Sequence, residues 1–171
     1  GFIPSAILNN LSANRLSSPF SSDESRYTAF PSYGLLPLAL NLIRSKFNVE
    51  FTVDLFASPA HHVCDRWVGP VADPGSFRSD AFSFLWNDPA EVYFVNPPWA
   101  LVARVINKIS ADRPKNLVLV CPKWESAPWW PLLKPLTSIY LDLPDCPLYT
   151  DFKGRVLPAP KWRSCAFLVR M

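Results

Sequence analysis

Four consecutive residues carry the most specific chemistry in this 171-residue chain: Asn96-Pro97-Pro98-Trp99. Two prolines fix the backbone and remove two N–H donors, which leaves carbonyls free to accept. The Asn96 side-chain oxygen adds another acceptor. An exocyclic NH2 group offers two hydrogens, so the Asn96 oxygen and the Pro97 carbonyl can bind both. The nitrogen lone pair then faces an incoming methyl group, and charge developing on nitrogen is stabilised. Trp99 offers a π-face for the ring that carries the amine, worth on the order of 1–3 kcal/mol if a base stacks there. As a bare tetrapeptide the run is more often a proline-rich turn; a strand before it and a helix after it reverse that preference.

The flanking elements supply this setting. Residues 92–95 (Val-Tyr-Phe-Val) form a compact β-run that stops at Asn96. Beyond the prolines, Leu101, Val102, Val105, Ile106 and Ile109 share one face of a helix expected over 101–111. Residues 116–121 form a continuous apolar run of the kind buried in parallel sheets. A helix is expected over 34–46, with Pro37 in its first turn. Short strands are expected over 51–56, 64–68, 138–143 and 163–170, a short helix over 129–136, and a loop rich in Pro, Gly and Ser over 69–79. Strands alternating with helices predict an α/β domain with a mostly parallel sheet. In such sheets ligands bind at the carboxyl ends of strands. Asp54-Leu-Phe-Ala-Ser58 and Asn96–Trp99 both follow expected strands. Residues 1–33, rich in Ser, Asn and Pro, read as an extended arm or disordered linker with a short helix at 6–11; the folded domain is expected over 34–171.

Composition narrows the classes. Hydrophobic residues make up 49% of the chain, enough for a real core. Nineteen Pro against five Gly exclude a glycine-rich phosphate cradle of the GxGxxG or GxxxxGK[ST] kind. A net charge of +3 permits nucleic acid without requiring it. No apolar run approaches the roughly 20 residues of a membrane span, and no signal peptide is evident. Cys64, Cys121, Cys146 and Cys165 form no CxxC pair and read as buried free thiols of a reducing compartment, cytoplasm or nucleus. A start at Gly1 rather than Met fits a piece of a longer polypeptide.

Other groupings compete for attention. His61-His62 with Cys64 lacks the second ligand pair that a zinc site needs, so no metal is expected. Asp54, Asp80 and Glu91 are conceivable as a two-metal nuclease set. Lys123-Trp124, Trp129-Trp130 and Lys161-Trp162-Arg163 interleave bases and rings, as single-strand binders do, although core packing explains them slightly better.

In order along the chain stand Phe51-Thr-Val-Asp-Leu-Phe-Ala-Ser-Pro, Cys64, Asp80-Ala-Phe with Trp86, Val95-Asn-Pro-Pro-Trp, and Leu117-Val-Leu-Val-Cys-Pro with Trp129. From about Arg26 to Trp130 this order resembles the phage-type DNA N6-adenine methyltransferase (Dam-like) family. It is most similar to the Dam-like domain of DIRS-type tyrosine-recombinase retroelements. The resemblance implies a Rossmann-like methyltransferase fold, S-adenosylmethionine as cofactor, and adenine N6 in DNA, single-stranded DNA included, as substrate. It also implies neighbouring reverse transcriptase and RNase H domains in a polyprotein. By position it makes Asp54, Phe56, Ala57 and Ser58 the cofactor loop, lets Tyr27 and Thr28 help close the pocket, sets Asp80 beside the cofactor adenine or ribose, and makes Asn96, Pro97, Pro98 and Trp99 the catalytic loop. Three features depart from the pattern. Ser58-Pro59 replaces the glycines of most such first loops, Trp99 replaces the commoner Tyr or Phe, and no target-recognition insertion is evident. The missing glycines and the missing insertion, together with the Pro/Ser-rich arm at 1–33, favour the alternative of a catalytically inactive methyltransferase-like module that binds or scaffolds.

Overall fold

The computed structural model describes residues 34–151 and 153–171. The arm at 1–33, its helix at 6–11, and Tyr27 and Thr28 lie outside the described residues. The elements in chain order are β1 (Gly34–Leu35), α1 (Pro37–Phe47), β2 (Val53–Asp54), β3 (Arg66–Gly69), β4 (Arg78–Ser79), β5 (Tyr93–Val95), α2 (Val102–Asp112), β6 (Leu117–Pro122), α3 (Trp130–Leu133), β7 (Ile139–Asp142), β8 (Tyr149–Thr150) and β9 (Ser164–Val169). Three 3-10 turns, Ala81–Ser83, Trp99–Leu101 and Lys134–Leu136, fill the joints.

Seven strands form one sheet in the order β4-β3-β2-β5-β6-β9-β7. The pairs β3/β4, β2/β3, β2/β5 and β5/β6 are parallel. Only β9 runs against its neighbours, pairing antiparallel with β6 on one side and β7 on the other. The short strands β1 and β8 make a separate antiparallel pair. The mixed α/β architecture with a mostly parallel sheet is therefore as the sequence pattern predicts.

Period-2 alternation divides the central strands between two cores. Val53, Tyr93, Val95, Leu117 and Leu119 face α2, whose Val102, Val105, Ile106 and Ile109 recur at helical spacing and are all buried. Each such side chain contributes roughly 2 kcal/mol relative to exposure. Phe94, Val118 and Val120 face the other way, onto Ala39, Leu40, Ile43 and Phe47 of α1. With so few glycines, left-handed backbone falls to Asn48 and Arg113, which end α1 and α2, and to Asp80. Asn and Asp tolerate this region better than most residues; Arg113 accepts it because its N–H still closes the helix onto Ile109 O at 2.9 Å.

Several boundaries differ from expectation. The strand expected over 51–56 pairs only at Val53–Asp54, because Phe51 and Leu55 turn into the cores on either side of a two-residue ladder. Residues 34–35 belong to β1 rather than to the first helix. The expected loop at 69–79 ends in β4, held by Phe77 N–H donating to Trp67 O at 2.8 Å and Asp80 N–H to Gly69 O at 2.7 Å. Among the described residues no helix is long and apolar enough to cross a membrane.

Candidate functional site

The chain leaves β2 in one direction, towards β3 and β4, and resumes on the opposite side with β5 and β6. A crevice must open where the strand order reverses, at the carboxyl ends of β2 and β5. A cavity of about 140 Å³ lies there, lined by Asp54, Phe56, His61, His62, Phe94 and Asn96, with Gly34, Leu35 and Leu40 across from them. A hollow of about 160 Å³ lies instead between Pro144, Leu148 and residues 160–163. Its titratable residues, Asp145, Lys161 and Arg163, are exposed, so it lacks the desolvated titratable group expected of a reactive site. The strand-end cavity is the candidate.

Asp54 is the last residue of β2 and is 3% exposed. Its Oδ1 accepts the Phe56 N–H at 3.3 Å and its Oδ2 the Val63 N–H at 3.0 Å, so one carboxyl ties together both ends of the following loop. Burial pushes this carboxyl up to about 7, against the downward pull of the two N–H donors. Within the loop, Ser58 and His61 close a tight turn: Ser58 N–H donates to His61 O at 3.0 Å, and His61 N–H to Ser58 Oγ at 3.2 Å. Ala57 N–H donates to Val68 O at 3.0 Å and anchors the loop to β3.

His61 was not singled out from sequence as a pocket residue, yet its ring is firmly held. Nε2 lies 2.9 Å from the Asp151 carbonyl, which can only accept, so Nε2 carries a hydrogen, and Nδ1 stands outside this bond. Gly34 lies against that nitrogen; a Cβ there would come within 2.7 Å of Nδ1. His62 turns away to stack on Trp67 at 5.5 Å, and its Nδ1 binds Cys64 O at 3.1 Å. The His61-His62-Cys64 run therefore does not converge, and among the described residues no three His, Cys, Asp or Glu side chains group as a cation site. Glu91 is likewise committed elsewhere, accepting Arg66 Nη2 at 2.7 and 2.8 Å and Thr52 Oγ1 at 2.7 Å.

Asn96 follows β5 directly and lines the cavity, half-buried. Its carboxamide makes no hydrogen bond among the described residues, and neither does the Pro97 carbonyl, while Pro98 O accepts the Leu101 N–H at 2.9 Å. Both acceptors that the sequence assigned to an amine are thus unspent. Trp99 lies outside the cavity lining. Its ring packs edge-on against Trp162 at 4.7 Å and Trp124 at 5.9 Å, in a cluster that also contains Ala127. Asp80 also stands apart from the cavity, accepting the Phe82 N–H at 3.1 Å as the cap of its 3-10 turn. Phe56 links the two regions, meeting Phe82 at 5.6 Å and Trp86 at 6.3 Å.

The interleaved basic and aromatic motifs are largely structural. Trp124 is buried, Lys123 pairs with Asp142 at 3.2 Å, and Trp129 and Trp130 pack onto the α2-side core. Cys64, Cys121, Cys146 and Cys165 are free thiols; Cys121 and Cys165 are buried opposite each other on β6 and β9. No protein-family model matches this chain, and no curated protein matches it in sequence.

Proposed function

We propose that this domain is an S-adenosylmethionine-dependent amino methyltransferase, acting on adenine N6 in DNA as part of a retroelement-type polyprotein. One observation carries the reading: a single cavity at the reversal of strand order is lined by both the buried Asp54 carboxyl and Asn96, whose carboxamide makes no hydrogen bond among the described residues. The sheet order, doubly wound with one reversed strand next to an edge, fits a Rossmann-like methyltransferase sheet.

The residues present suit the cofactor in kind. A cavity of about 140 Å³ takes one end of such a molecule rather than all of it. Its buried carboxyl matches a cationic end, and Leu35, Leu40 and Phe94 supply apolar walls. Phe56, which packs on Phe82, and Asp80, which caps the Phe82 turn, are the residues that would hold an adenosine. When bound, the cofactor supplies an electrophilic methyl group on a sulfonium. The protein's part is positional. Asn96 Oδ1 and the Pro97 carbonyl would accept the two amine hydrogens, orient the nitrogen lone pair, and stabilise positive charge developing on nitrogen. The surplus proton leaves to solvent after transfer, so no general base is needed.

The test is methylation of adenine-containing single- and double-stranded oligonucleotides by the native chain and by Asn96→Ala. We expect at least about a hundredfold loss of transfer in the variant, with cofactor affinity nearly intact. Unchanged turnover in Asn96→Ala refutes the assigned role. A second reading, a catalytically silent binding or scaffolding module, is favoured by the commitment of Trp99 to Trp124 and Trp162. Cofactor binding without transfer to any oligonucleotide selects it.

A further inference from the structure

We propose that Asp54 is the counter-ion of the strand-end cavity, selecting a ligand end with a positive charge and releasing its own proton as that ligand enters. The inference rests on the cofactor reading above and adds to it a charge requirement and a proton linkage.

The geometry comes first. A carboxylate offers about four acceptor positions, and Asp54 fills two of them, with the Phe56 and Val63 N–H groups. It borders the cavity while being 3% exposed, so water cannot solvate its charge freely. Among the described residues, the charged and titratable groups around it do not neutralise it. On α1, Arg44 reaches the Val63 carbonyl at 3.5 Å and Glu50 at 3.8 Å. On β3, Arg66 is held by Glu91. In the loop, His61 is fixed on Asp151 O and His62 on Cys64 O. The Cys64 thiol, pushed up to about 12 by burial and then by the charge of Asp54 itself, stays neutral. From β5 the cavity receives only Phe94 and Asn96, which carry no charge.

A proton is therefore the neutralising partner of Asp54 in the ligand-free protein. Burial pushes its carboxyl up to about 7, so near neutral pH an appreciable share of the molecules hold that proton. A sulfonium or ammonium at the open acceptor positions replaces that proton: the carboxyl O–H breaks, the proton passes to solvent, and an ion pair forms in its place. A neutral ligand leaves the proton where it is. An anionic group at this position is rejected.

Calorimetric titration of the full chain at pH 7, in two buffers of different ionisation heat, counts the protons released. The ligands are S-adenosylmethionine, S-adenosylhomocysteine and 5′-methylthioadenosine, bearing sulfonium plus ammonium, ammonium alone, and neither. We expect a fraction of a proton released per S-adenosylmethionine bound at pH 7, rising towards one at pH 5.5. Affinity should be roughly tenfold weaker at pH 5.5 than at pH 7, both below the range in which the ligand's own amino group titrates. Methylthioadenosine should release none. Equal release by the homocysteine analogue assigns the ammonium as the partner; release by S-adenosylmethionine alone assigns the sulfonium; both support the proposal. Binding of S-adenosylmethionine with no proton release and equal affinity at the two pH values overturns the counter-ion and leaves the cofactor reading standing. Absence of S-adenosylmethionine binding overturns both. Asp54→Asn, with its fold verified by circular dichroism, should bind with no pH dependence over the same range; retained dependence also overturns the proposal.

Discussion

Replacing Asp54 by Asn should make the protein less stable in acid and more stable in mild alkali than the native chain. Burial raises the folded-state value of this carboxyl from 3.8 to about 7, so between those pH values the folded state holds a proton that the unfolded chain has released. The stability linked to that proton is complete below pH 3.8 and is lost as pH rises through 7. At 1.36 kcal/mol per pH unit the whole interval amounts to about 4 kcal/mol. Asn keeps one acceptor oxygen where the carboxyl used two, so either Phe56 or Val63 N–H loses its partner, which costs about 1 kcal/mol. At pH 4, where about 0.5 kcal/mol of the linked stability is already gone, Asp54→Asn should therefore be about 0.5 kcal/mol less stable than the native chain, and at pH 8 about 3 kcal/mol more stable. Urea unfolding followed by tryptophan fluorescence at both pH values measures the difference, in which the titration of other groups cancels. A difference that is the same at pH 4 and pH 8 refutes the argument that Asp54 is neutral in the folded protein at low pH and charged against its surroundings at high pH.

Two further substitutions test the scaffold of the site. Trp86 is fully buried, donates its indole N–H to Ala81 O at 2.8 Å and buttresses Phe56. Trp86→Ala should destabilise the fold by about 3–5 kcal/mol in denaturant titration; a loss below about 1 kcal/mol contradicts its packing role. Gly34→Ala places a methyl 2.7 Å from His61 Nδ1 and should push that ring off the Asp151 carbonyl. Affinity for the proposed cofactor, measured by calorimetry, should then fall roughly tenfold, with a loss of stability of about 1 kcal/mol from the broken hydrogen bond, and unaltered affinity removes His61 from the pocket wall.

The sequence disclosed the interior of the sheet better than its periphery. Residues 117–122 and 165–169 are uninterrupted apolar runs and form β6 and, with Ser164, β9, buried at every position. The stripe from Val102 to Ile109 gave α2 within a residue. In contrast, β4 is two residues, Arg78 and Ser79, without an apolar side chain; it exists because Asp80 and Phe77 reach β3 through backbone bonds that no local pattern records. The reversal of β9 was equally hidden, since a buried strand reads the same in either direction. At the site, the loops after β2 and β5 were legible because both end apolar runs. The adjacency of His61 and Gly34 was not, because it depends on a histidine reaching the pair formed by β1 and β8. Trp99 shows the opposite case: its ring suits stacking on a base, and tertiary packing gave it two tryptophan partners instead.

The place of β9 in the sheet sets a constraint on synthesis. Its residues emerge last among the strands but lie between β6 and β7, with Leu117 paired to Val169 at one end and Pro122 to Ser164 at the other. Until Ser164–Val169 have left the ribosome, β6 and β7 each present an unpaired edge, and the apolar run of β6 has no partner on that side. A nascent chain therefore cannot complete this domain progressively from its amino end; it must hold an open, aggregation-prone sheet and close it in one late step.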